Sequence, residues 1–182
     1  MSSATNDFEN ELVRLEEALL HQAADDRTAL HQGNASTCKL HDKYDEQGIA
    51  GEHAFSQRYK LFHDMSRKPR GDGGIYFLRV PLLFDVDVKC SENAYQLIVE
   101  VGTVDADIYV LAQYRGKMTN AKLLKWCWRA DVLAAPHKQY SSGKINHYID
   151  RDDPVLRKIS KLDMMILRKV VDDDDIDSSV QQ

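Results

Sequence analysis

The chain has 182 residues, 43% of them hydrophobic, and a formal net charge of −5 at pH 7. That length suits one domain with a sizeable core, and no stretch approaches the ~20 apolar residues that span a membrane. Three scattered cysteines, Cys38, Cys90 and Cys127, exclude a disulfide framework. Together with an N-terminus lacking a basic segment and apolar run, they lead to the expectation of a cytoplasmic protein with no membrane partner.

Asn6, with Glu9 three residues on, reads as a capping box. Phe8, Leu12, Leu15, Leu19 and Ala23 then recur at helical spacing. A helix is expected to about His31, stopped by Gly33 and Asn34, with that apolar stripe packed inward. Residues 35–51 are polar and aperiodic and read as a loop or irregular helix. A second helix is predicted from Gly51 to about His63, with Ala54, Phe55, Tyr59 and Phe62 inward. Strands follow at 75–80 and 82–90, a hairpin about Pro81, and then at 95–101, 107–114 and 122–128. A helical turn at 130–134, stopped by Pro136, precedes a strand at 145–149. Asp152-Asp153-Pro154 then opens a last helix with Val155, Ile159, Leu162 and Ile166 on one face. The expected class is α/β (α+β), a central mixed β-sheet flanked by helices. The expected division is an N-terminal amphipathic helix at 1–34, a core domain at 35–168 and an acidic tail at 169–182.

The chemistry concentrates between the second helix and the second strand. Gly71-Asp72-Gly73-Gly74 is a turn bearing a carboxylate, and Asp87-Val88-Lys89 lies on the strand that follows the hairpin. Side chains alternate along a strand, so Asp87 and Lys89 share a face. A carboxylate and an ammonium on an otherwise core-like strand are costly unless paired or bound to something. Asp72 can fold back toward them across the hairpin. Acidic oxygen ligands with a lysine suit a hard divalent ion that activates water against a phosphodiester. Asp107 reads as a cap at a strand start and Gln113 as a hydrogen-bonding residue at the core edge.

The ordered set resembles the PD-(D/E)xK nuclease superfamily. Asp72 matches its first acid, Asp87 the second and Lys89 the lysine, while Gly51-Glu52-His53-Ala54-Phe55 resembles the helical Gly-Glu-x-x-Phe stretch of some members. The resemblance covers roughly residues 51–150, and Gly71 stands where the family often has proline. It implies a restriction-endonuclease-like core and a Mg²⁺- or Mn²⁺-dependent endonuclease. In that reading Asp72, Asp87 and the Val88 carbonyl hold the metal, with Glu52 completing the shell directly or through water. Lys89 orients the attacking water. DNA is the expected partner, with RNA left open and a homodimer allowed for.

Charge placement bears on the same question. Asp172, Asp173, Asp174, Asp175 and Asp177 carry as much negative charge as the whole chain's excess. Basic residues gather instead at Arg67, Lys68 and Arg70, just before Asp72, and at Lys138 in a stretch read as a basic, aromatic loop. These are candidate phosphate contacts. The acidic balance also fits an alternative, a catalytically silent nuclease-fold module that binds nucleic acid or a protein partner.

Overall fold

The computed structural model describes residues 3–32, 41–61, 78–80, 84–140 and 143–166, without the side chains of 3–10, 12, 30–32, 41, 42 and 78–80. The protein is mixed α+β, with two sheets and four helices among these residues. Helix α1 is Ser3–Gln32 and α2 is His41–Tyr59. A five-stranded sheet has the order β1-β2-β4-β5-β8, from Leu78–Val80, Phe84–Ser91, Ile108–Gln113, Lys122–Trp128 and Arg157–Lys158. It is mixed, because β2 and β4 run parallel while the other pairs are antiparallel. An antiparallel three-stranded sheet has the order β3-β7-β6, from Gln96–Glu100, Ile145–Asp150 and His137–Gln139. Helix α3, Arg129–Ala134, follows β5 directly, and a helix at 159–166, α4, ends the described chain.

Strand alternation divides the core in two. Val86 and Val88 of β2, Ile108, Val110 and Ala112 of β4, and Leu123 and Trp126 of β5 pack against Phe55 of α2 and Leu162 of α4. The other face carries Tyr109 and Leu111 of β4 and Cys127 of β5, which meet Leu97, Val99 and Ile149 of the second sheet and Val132 of α3. Helices therefore cover one face of the main sheet, and a second sheet with a short helix covers the other. Each fully buried Phe or Leu contributes about 1.5–3 kcal/mol.

Several expectations change on inspection. Helix α1 begins at Ser3, so Asn6 lies inside it rather than capping it. Its buried face is Leu20, Ala23, Ala24, Arg27 and Thr28, whereas Leu15 and Leu19 of the predicted stripe are more than half exposed. Helix α2 starts ten residues before Gly51, because its first half buries polar groups. Asp45 and Gln47 are inside, with the Thr28 hydroxyl donating to Asp45 at 2.9 Å. It ends when Lys60 takes a left-handed φ of 53° and the Leu61 N–H bonds to the Ser56 carbonyl. Lys138 lies on strand β6, not in a loop. The last helix begins only after β8, although Ile159, Leu162 and Ile166 do face the core as expected.

Candidate active site

Strand β2 sets the site. It pairs with β1 only as far as Val86, and among the described residues no strand covers its outer edge from Asp87 to Ser91. On the inner edge, the carbonyls of Asp85 and Ser91 accept from the N–H groups of Asp107 and Tyr114 along the β4 side. Backbone groups alternate between the two edges, so the N–H and carbonyl of Val88 face outward. A cleft of about 290 Å³ wraps this edge, lined by Asp87, Val88 and Lys89 together with Arg27, Glu52 and Gln96.

Asp87 and Lys89 share one face, as the period-two pattern requires, and their charged groups lie 2.8 Å apart. Asp87 is 7% exposed, while about a third of the Lys89 side chain, 32%, reaches solvent. A carboxylate buried in this way depends on a charged or hydrogen-bonding neighbour. The Asp87 charge is also felt by Tyr109, its register partner on β4, whose hydroxyl is pushed up to about 12 by burial first and Asp87 second.

Glu52 reaches the same cleft from the helix side. Helix α2 lies very close to β2 at Gly51. A Cβ there would stand 2.6 Å from the Cys90 Cβ and 3.1 Å from Val88. The carboxylate of Glu52 is buried and held by Arg27 of α1, whose Nη1 donates to Oε1 at 3.2 Å and Nη2 to Oε2 at 3.0 Å. Removing one partner of such a buried pair costs about 3–5 kcal/mol, because the other is left charged in a dry setting. The neighbouring Cys90 thiol is pushed up to about 12, by burial first and by the Glu52 charge second. That leaves Cys90 a neutral packing residue rather than a nucleophile.

Of the predicted residues, the structure thus brings Glu52, Asp87, Val88 and Lys89 to one cleft. Asp72, Arg67, Lys68 and Arg70 lie outside the described residues. Lys138 is exposed on β6, is not among the residues lining the cleft, and stands 6.0 Å over the Tyr140 ring. Asp107 accepts from the Asp85 N–H at 3.0 Å, and Gln113 donates to the Glu92 carbonyl at 3.1 Å, the structural parts expected of them. Neither Arg27 nor Gln96 stands out in the sequence as a site residue. The signal for Arg27 was its place seven residues after Leu20 and three after Ala24, on the buried face of α1.

The chemistry of the donor set can be weighed against a hard cation. Among the described residues no group of three or more His, Cys, Asp or Glu side chains is placed to hold a metal. The described oxygen donors at the open edge are Asp87 and the Val88 carbonyl. That small set fits Mg²⁺, which binds few protein ligands and keeps several waters. Glu52 fits less well as a direct ligand, since both its oxygens already accept from Arg27. A scan of protein-family models and searches of curated proteins and solved structures each gave no match to this chain.

Proposed function

We propose that the chain is a metal-dependent nuclease with a restriction-endonuclease-like core, hydrolysing DNA phosphodiester bonds as an endonuclease of the PD-(D/E)xK type. The observation that carries this reading is the Asp87–Lys89 pair, 2.8 Å apart in a cleft, on a stretch of β2 whose outer edge no strand covers among the described residues. The pair forms part of the cleft wall, with the Asp87 carboxylate buried and about a third of the Lys89 side chain, 32%, open to solvent. A pair serving hydrolysis has to be reachable by substrate, and among the described residues this one lines a cleft.

Asp72, Asp87 and the Val88 carbonyl would hold a Mg²⁺ or Mn²⁺ ion, whose chemistry is to acidify bound water and offset phosphate charge. Lys89, at the mouth of the pair, orients the attacking water and offsets the charge growing on the scissile phosphate. The attacking water gives up a proton to solvent as its oxygen bonds to phosphorus, the bond from phosphorus to the leaving oxygen breaks, and that oxygen takes a proton from solvent. Glu52 accepts a hydrogen bond from water in the cleft. Arg67, Lys68 and Arg70, close in sequence to Asp72, and Lys138, on the second sheet, contact phosphates away from the break. The test is incubation of plasmid DNA with purified protein and Mg²⁺, Mn²⁺ or EDTA. Nicking or linearisation only with metal supports the reading, and no cleavage of duplex, single-stranded or branched DNA contradicts it.

A further inference from the structure

We infer that Arg27 is a positioning residue of the cleft, fixing the orientation of Glu52 and cancelling its charge so that Glu52 acts on the reacting centre through water. This rests on the nuclease reading and deepens it.

The arrangement is built from three elements. Both Glu52 oxygens accept from one guanidinium, and each of the two side chains is only 7% exposed. One turn before Glu52, α2 carries Gly48, where a Cβ would stand 3.0 Å from Arg27 Nη1. A glycine within a helix is unfavourable, and here it leaves room for the guanidinium to pass. The two helices do not rely on this pair to meet. Leu20, Ala23, Ala24, Ile49 and Ala50 already form an apolar seam, and Thr28 bonds Asp45 beside it. Yet Arg27 and Glu52 sit in the wall of the cleft that holds Asp87 and Lys89.

A forked arginine occupies two of the roughly four lone-pair directions of a carboxylate and fixes its plane. A neutral water can donate to such a carboxylate without facing the guanidinium's charge. Direct coordination of a cation by Glu52 would set that cation against a guanidinium already in place. Asp87, by contrast, is balanced by Lys89, about a third of whose side chain, 32%, reaches solvent.

The experiment compares wild type with Arg27→Met, Glu52→Met and the double variant, by thermal melting, Mn²⁺ calorimetry and cleavage at saturating Mn²⁺. Exchanging both buried charges for apolar groups preserves folding where either single change fails to do so. The double variant is therefore expected to melt near wild type and to bind Mn²⁺ within about threefold of it. Its kcat should fall about 10- to 100-fold, the range for groups that orient others at a metal site, with KM for DNA little changed. Loss of Mn²⁺ affinity by more than about tenfold would make Glu52 a direct ligand and overturn the inference. Unaltered kcat would make the pair a helix staple and overturn it too. A wild-type protein that cleaves nothing would remove the nuclease reading and this inference with it, whereas failure of the variants alone leaves the nuclease reading standing.

Discussion

Lys89 and Asp87 are two residues apart on a strand, and that spacing alone put their charges on one face. That placement allows the 2.8 Å contact, which the length of the lysine side chain closes. The neighbouring Gly51 was legible as part of a motif but not for its physical reason, which is the 2.6 Å approach a Cβ would make to Cys90. The Cys90 Cβ is fixed to the backbone and cannot swing aside. Gly51→Ala should therefore cost about 1–3 kcal/mol by overpacking and lower the melting temperature by several degrees. An unchanged melt would mean that α2 stands farther from β2. Arg27 was hidden for the opposite reason. An arginine in a charged helix reads as surface, and only its position on the buried stripe distinguishes it. Lys138 illustrates a third case, since a basic side chain beside Tyr140 reads as a loop contact until the pairing of β6 with β7 is seen.

At the scale of elements, apolar patterns located most strands. Strand β5 falls on the expected residues 122–128, and β2, β3, β4 and β7 lie within two residues of expectation at each end. Helix faces were harder to read. The buried side of α1 includes Arg27 and Thr28, so hydrophobicity pointed to the Leu15–Leu19 stripe instead. Leu20→Ala should cost about 2–5 kcal/mol and Leu19→Ala under about 0.5 kcal/mol. Paired denaturation curves would check this, and the reverse order would restore the face the sequence suggested. Helix α4 is tied to α2 by Arg58, which donates to Asp163 from Nε at 2.9 Å and from Nη2 at 2.6 Å, and by the Tyr59 hydroxyl at 2.8 Å. The Arg58 hydrogen bonds chiefly hold the Asp163 carboxyl below its ordinary 3.8, against the opposing pull of its own burial, with Tyr59 adding to the lowering. A folded-state pKa lowered in this way stabilises the fold above pH 3.8, and the gain is lost as pH falls through the lowered value. Because the pair is partly exposed, Asp163→Asn should cost at most about 1 kcal/mol at pH 7. The deficit should shrink as the pH is taken well below 3.8, and thermal melts of both proteins across that range would check it. A deficit independent of pH would mean that packing rather than charge is lost.

For the whole molecule, the sequence supported a mixed α+β class but not its division into two sheets. No local pattern states that β3, β6 and β7 pair apart from β2, β4 and β5, since sheet membership depends on contacts far apart in sequence. The cleft is a product of that division, with β2 on one side and Gln96 and Ile98 of β3 on the other. Among the described residues no helix is long and apolar enough to cross a membrane. The charge balance is a global property, and removing the five acids from Asp172 to Asp177 brings the net charge to zero. A chain ending at Val171 should bind DNA about tenfold more tightly at low salt, with a difference that fades as salt screens it. Fluorescence anisotropy at two salt concentrations would show this, and equal affinities would mean that the tail does not oppose binding.

Plasmid cleavage in Mn²⁺ by wild type, Asp87→Ala and Lys89→Ala, each confirmed folded by thermal melting, decides whether this edge of β2 is catalytic. Wild type is expected to cleave in Mn²⁺ and not in EDTA, and both variants to lose about 10²-fold or more of that activity. Cleavage that persists in both variants, or a wild type that cuts nothing in Mn²⁺, overturns the assignment of Asp87 and Lys89.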